Sequence, residues 1–194
     1  LPVQHEIVRI LDHFTELTIE LTTELTTELT ARKKQYEYYR DALLTFGDEV
    51  EWKTLGDIGP VCMCKRIMKD QTNSNGEVPF YKIGTFGKEP DAYISYDLFD
   101  KYRKNYSYPK KGDILISAAG TIGRTVVFDG SHSYYQDSNI VWIDNDETKI
   151  LNKFLNYYYK KSPWAVSSGG TIKRLYNENI RKTPLPLPTL QEQA

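Results

Sequence analysis

Residues 15–30 spell one tetrapeptide four times: Thr-Glu-Leu-Thr, Ile-Glu-Leu-Thr, Thr-Glu-Leu-Thr and Thr-Glu-Leu-Thr. A helix turns once in about 3.6 residues, so a four-residue period puts Leu17, Leu21, Leu25 and Leu29 on one stripe that drifts by roughly 40° per repeat. Glu16, Glu20, Glu24 and Glu28 form a second stripe beside it. Each unit adds about 6 Å of length and little else. A unit can be gained or lost without disturbing the pattern on either side. Leu stripes at helical spacing are most often core and Glu stripes solvated faces, but the tandem repetition is what that reading leaves unexplained, and it looks like a spacer.

The helical pattern is longer than the repeat. Ile7, Ile10, Leu11 and Phe14 lead into it, and Tyr36, Leu43 and Leu44 carry it on to about residue 45. Gly and Pro are absent from residues 3–46, and Gly47 supplies a stop. A helix of that length is a rod of roughly 60 Å. Its apolar stripe needs a partner helix, and the chain offers no second helix of comparable length. Ile7, Leu11, Phe14, Leu17, Leu21, Leu25, Leu29 and Tyr36 are the expected partner-facing residues.

Beyond Gly47 the composition changes to Gly, Tyr and short apolar runs. Strands are expected at 79–86, 113–118, 124–129 and 139–143, and a turn at 73–76. Helices are expected at 148–161 and 177–181. Residues 183–188, Thr-Pro-Leu-Pro-Leu-Pro, must be extended. Charge is uneven: residues 1–46 hold five Lys/Arg against eight Asp/Glu, a net of −3, and residues 47–188 hold twenty against seventeen, a net of +3. The acidic helix is a poor surface for DNA, and the mildly basic region is a better one. Cys62 and Cys64 are too close for an ordinary bridge, and only three His accompany them, so no metal site and a reduced, cytoplasmic setting are expected. No apolar run reaches membrane-spanning length. The two ends share a register. Leu1-Pro-Val-Gln4 opens the first helix, and Leu190-Gln-Glu-Gln193 follows the proline run as if another helix began there. The chain thus reads as one unit of something longer.

Several stretches together resemble the DNA-specificity subunits of type I restriction–modification systems. They are Pro2-Val-Gln-His-Glu-Ile-Val-Arg-Ile-Leu-Asp-His-Phe14, Arg32-Lys-Lys-Gln-Tyr-Glu-Tyr-Tyr-Arg40 with Leu43-Leu-Thr-Phe46, and Trp52-Lys-Thr-Leu-Gly-Asp-Ile58. Lys111-Gly-Asp-Ile-Leu-Ile-Ser117 with Gly120-Thr-Ile-Gly123, Gln136-Asp-Ser-Asn-Ile140, and Leu185-Pro-Leu-Pro-Thr-Leu-Gln-Glu-Gln193 complete the set. The resemblance implies an α+β chain: a long coiled-coil-forming helix over 1–46, a globular mixed α/β target-recognition domain with a twisted sheet over 47–188, and the start of the next conserved helix at 189–194. It further implies one half of a subunit whose two domains read a split double-stranded DNA site, with helix length setting the gap. The implied partners are methyltransferase subunits, motor-nuclease subunits through the complex, and a second half-subunit or copy through the long helix. S-adenosylmethionine, ATP and Mg would reside on those partners, leaving this chain without a cofactor.

The resemblance transfers no base contacts, because reading residues vary. Chemistry supplies candidates instead: phosphates take Lys, Arg, Ser, Thr and backbone N–H, and base edges take Arg, Lys, Asn, Gln and Asp. Three clusters qualify: Lys65, Arg66 and Lys69; Tyr81, Lys82 and Thr85; and Ser167, Ser168, Gly169, Gly170, Thr171, Lys173 and Arg174. Gly120–Gly123 suits either a phosphate cradle or a tight strand turn, with the turn preferred. Most tyrosines are expected to pack. No Asn-Pro-Pro-aromatic methyl-transfer motif or Gly-rich cofactor fingerprint occurs, and His5, His13 and His132 lack an evident nucleophile, so catalysis by this chain is not expected. The long helix fits equally well a coiled-coil assembly protein whose globular head reads no DNA.

Overall fold

The computed structural model describes residues 2–164 and 174–194. The chain divides into two compact units, 1–45 and 46–194.

The first unit is one helix, α1 (Pro2–Leu43). Threonine is a mediocre helix former because its branched Cβ loses rotamers in the preceding turn. Here the hydroxyls of Thr15, Thr18, Thr22, Thr23, Thr26, Thr27 and Thr30 each donate to the carbonyl four residues back, at 2.7–2.9 Å. Each hydroxyl is thereby satisfied within its own helix. None of the residues of α1 is buried. Leu17, Leu21, Leu25 and Leu29 stand 45%, 57%, 61% and 55% exposed. The ion pairs Arg9–Glu6 and Arg32–Glu28 are exposed and contribute little.

Among its described residues the second unit holds nine strands: β1 (Glu51–Thr54), β2 (Val61–Cys62), β3 (Val78–Tyr81), β4 (Tyr93–Ile94), β5 (Ile114–Ser117), β6 (Thr125–Val127), β7 (Tyr134–Tyr135), β8 (Ile140–Ile143) and β9 (Pro184–Leu187). Its helices are α2 (Tyr96–Asn105), α3 (Asn152–Tyr159), α4 (Asn177–Arg181) and α5 (Leu190–Gln193). The strands form three sheets, ordered β2-β8-β5-β6, β4-β3-β7 and β1-β9. All pairs are antiparallel except β3 with β7. The aromatic core between the first two sheets includes Phe80, Phe86, Phe99, Phe128, Tyr134 and Trp142. The Tyr134 and Tyr108 hydroxyls, carried inward with their rings, donate to the carbonyls of Lys65 (3.1 Å) and Ser133 (2.7 Å). Tyr134 and Tyr135 are thus packing residues, as expected.

Several elements differ from the sequence expectation. The strand expected at 79–86 ends at Tyr81, because the Lys82 N–H and carbonyl are taken by a turn closed at Thr85. The helix expected from 148 starts at Asn152. Side chains hold the backbone before it: Asp146 accepts from the Thr148 N–H at 3.0 Å, Glu147 from the Asn152 N–H at 2.8 Å, and Gln193 from the Leu151 N–H at 2.7 Å. Helix α2 escaped the periodicity because Phe99 is its one buried residue, although Ser95 caps it through the Leu98 N–H. The proline run is extended as expected, but it is also paired: Trp52 faces Pro186 and Thr54 faces Pro184. Only Leu185 and Leu187 have N–H groups to give, which a two-stranded edge tolerates. Gly120–Gly123 is a turn joining β5 to β6. Its Gly123 N–H donates to the Ser117 carbonyl at 2.9 Å and its Ile122 N–H to Gly120 at 3.0 Å, so these groups serve the turn itself. Both glycines have positive φ, 64° and 79°.

Gln193 fastens α5 to the unit. It is buried, its Oε1 accepts from Leu151, and its Nε2 donates to the carbonyls of Pro188 (2.7 Å) and Lys149 (3.1 Å). Gln193→Ala strips three backbone groups, one buried and two partly buried, of their partner. Thermal or urea unfolding should show a loss on the order of 1–3 kcal/mol.

Candidate nucleic-acid interface

The site begins at a chain crossing. Strand β7 belongs to the three-stranded sheet and β8 to the four-stranded one, and only residues 136–139 separate them. The turn is therefore tight. The Gln136 N–H extends the β3–β7 pairing by donating to the Tyr81 carbonyl at 2.9 Å, and its Oε1 accepts from the Ile83 N–H at 2.9 Å. The Ile140 N–H donates back to the Gln136 carbonyl at 3.1 Å, and the Asn139 carbonyl accepts from the Ala118 N–H at 2.7 Å. Ser138 has φ of +60°, a conformation unusual for a residue with a side chain. This backbone presents Gln136, Asp137, Ser138 and Asn139 at the wall of a cleft of about 590 Å³.

Three other segments complete the cleft. Arg66, Ile67, Met68, Lys69 and Thr72 come from the irregular stretch after β2, Phe80 and Lys82 from β3 and its end, and Arg174 from the segment before α4. The Arg66 Nε donates to Asp137 Oδ2 at 2.8 Å, and the Ser138 hydroxyl donates to the same oxygen at 3.2 Å. Arg174 Nη2 donates to the Ser138 carbonyl at 2.7 Å, and Lys82 pairs with Asp91 at 2.9 Å. Among the described residues, four cations and one carboxylate line the cleft, a net of +3. Amides, a carboxylate and arginines beside lysines are the chemistry that reads base edges while neutralising phosphates.

The structure therefore gathers Arg66, Lys69, Lys82 and Arg174 from all three sequence clusters into one cleft. It directs three other candidates elsewhere. The Lys65 ammonium lies over the Tyr106 ring at 5.0 Å. Tyr81 stacks on Tyr135 at 5.6 Å and lines a separate hollow with Phe86 and Val126. The Thr85 hydroxyl closes its own turn through Lys82. Ser167, Ser168, Gly169, Gly170, Thr171 and Lys173 lie outside the described residues. Residues 136–139 were absent from the candidate list. The signal is there in the sequence, since Gln-Asp-Ser-Asn between two apolar strands is a short polar turn whose side-chain types suit base edges.

The chain is thus a long helix followed by a mixed α/β domain whose cleft carries cations and amides. Residues 47–194 match the family model described as the type I restriction modification DNA specificity domain, and the chain belongs to that family. Across its whole length it is 64% identical, over 197 residues, to the putative type I restriction enzyme specificity subunit S.HindORF215P of Haemophilus influenzae. It covers 51% of that protein, so it spans about half the length of this curated relative. It is also 67% identical over 86 residues to the Escherichia coli EcoR124I/EcoR124II specificity subunit, 44% of this chain and 19% of that one. Among solved structures, it resembles the HsdS subunit from Thermoanaerobacter tengcongensis, with a TM-score of 0.57, 18% identity and coverage of 92% and 45%. A chain from work on assembly and conformational transition of the type I R-M system gives a TM-score of 0.61 at 19% identity, covering 95% of this chain and 48% of that one. These two likenesses establish the fold. No helix among the described residues is long and apolar enough to cross a membrane.

Just before this cleft segment, Cys64 is 2% exposed, and burial pushes its thiol up to about 12. Thiolate is the reactive form, so Cys64 stays inert at neutral pH while the fold is intact. Thiol-reagent kinetics at pH 8 should show Cys64 modified only at the rate of unfolding, and promptly in urea.

Proposed function

We propose that this chain reads one half of a split double-stranded DNA site for a type I restriction–modification system. The cleft carries the reading: it draws Arg66, Lys69, Lys82 and Arg174 together with Gln136, Asp137 and Asn139. On this reading the chain is not itself a catalyst. Methyl transfer and cleavage, with S-adenosylmethionine, ATP and Mg, belong to the methyltransferase and motor-nuclease subunits it directs, in the cytoplasm. Residues 47–188 act as the recognition domain, 1–46 as the spacer helix, and 189–194 as the start of the next helix.

The helix supplies the second half of the proposal. An exposed stripe of leucines is costly to leave in water, since burying each gives about 1.5–3 kcal/mol. A second helix, from another half-subunit or a second copy, would cover Ile7, Leu11, Phe14, Leu17, Leu21, Leu25, Leu29 and Tyr36. Two recognition domains would then stand a fixed distance apart. One tetrapeptide adds about 6 Å and roughly 40°, and one base pair about 3.4 Å and roughly 35°. The rotations match better than the translations, so repeat number alters the gap without a fixed exchange rate.

Two measurements test this. Co-expression with the cognate methyltransferase subunit and mapping of methylated sites should give a split motif, and deleting residues 23–26 should change its gap while leaving the half-site sequences alone. An unchanged gap refutes the spacer role. Lys69→Ala should weaken binding evenly across DNA sequences and lower the salt slope by about 1. Salt-insensitive binding by the unaltered protein would favour the coiled-coil assembly reading.

A further inference from the structure

We propose that Arg66, held by Asp137, reads a guanine in the half-site. The inference rests on the reading above, that the cleft meets DNA, and adds which base the cleft selects and by which group. Arg66 is the exposed member of an unequal pair: its side chain is 65% exposed and that of Asp137 16%. The carboxylate is the fixed member. It sits on the tight turn between two sheets, with the Ser138 hydroxyl on the same oxygen that takes Arg66.

The point of attachment decides the chemistry. Asp137 accepts from Nε, the inner nitrogen of the guanidinium, at 2.8 Å. The terminal Nη1 and Nη2 form the opposite end of a rigid planar fork. A guanidinium held at Nε keeps its plane and direction, so ordering it on DNA costs less side-chain entropy. No hydrogen bond from the described residues engages those two terminal nitrogens, and in the major groove the guanine O6 and N7 are the two adjacent acceptors that match their parallel donors. Adenine offers a donor at one of those positions, and the pyrimidines offer no such pair. A lone surface lysine has neither the plane nor the spacing. Arg174 differs in kind, since its Nη2 is already engaged by the Ser138 carbonyl at 2.7 Å. Asp137 therefore acts as a positioning residue, and Arg66 as the reader.

The test uses the full protein with its cognate methyltransferase subunit and maps the methylated motif for the unaltered chain, Arg66→Ala, Asp137→Asn and Lys69→Ala. The motif should contain a guanine whose selection Arg66→Ala relaxes by on the order of tenfold or more, with other positions retained. Asp137→Asn should relax the same position to a smaller degree. Lys69→Ala should lower methylation without changing the motif. If Arg66→Ala methylates too little to map, competition among four duplexes differing at that base pair gives the same ratio. Equal discrimination by Arg66→Ala and the unaltered chain at every position overturns the proposal while leaving half-site reading intact. If exchanging residues 47–188 for another family member's domain leaves the motif unchanged, the half-site reading falls, and this inference with it. Arg66 is exposed and Asp137→Asn is isosteric, so both variants should melt like the unaltered chain.

Discussion

The four residues between β7 and β8 constrain the rest of the domain. They carry the chain from one sheet to the next within a single turn, so the two sheets must meet there. The meeting is held by backbone: Gln136 on Tyr81, Ile140 on Gln136, and Ala118 on Asn139. The same bonds that close the core fix the direction of Asp137, Ser138 and Asn139. Moving the turn would break the β3–β7 pairing on one side and the β5–β8 pairing on the other. A surface built this way is rigid where its side chains leave the backbone.

The helix follows the opposite logic. Its residues make their hydrogen bonds within a few positions, including the seven threonine hydroxyls that return to their own carbonyls. Its order is local, which is why a repeat can be counted in units. What it leaves exposed is the leucine stripe. The chain thus joins a domain whose order comes from long-range pairing to a rod whose order is local.

Legibility in the sequence follows the same division. Helix α1 could be read to within a few residues, because a sustained period needs no tertiary information. The apolar strands β5 and β8 were readable for their runs of Ile, Val and Leu. Helix α2 was not, because five of its ten residues are charged and it offers no apolar run, although Leu98, Phe99 and Tyr102 do pack on the core. The start of α3 was misplaced for a different reason. Asp146, Glu147 and the distant Gln193 occupy backbone groups that the local pattern assigned to the helix.

The candidate cations show the limit most clearly. Lys65 and Arg66 are neighbours of the same chemical type, and nothing local separates them. Folding sends Lys65 over Tyr106 and Arg66 to Asp137, seventy-one residues away in sequence. The sequence by itself determined the long helix, its repeat, its exposed leucine stripe and the family stretches, because each is a local or additive property of the chain. Only the tertiary structure decided which polar side chains share a cleft and which nitrogen of Arg66 is engaged by Asp137. Those are distances between segments brought together by sheet pairing, and no one-dimensional pattern carries them.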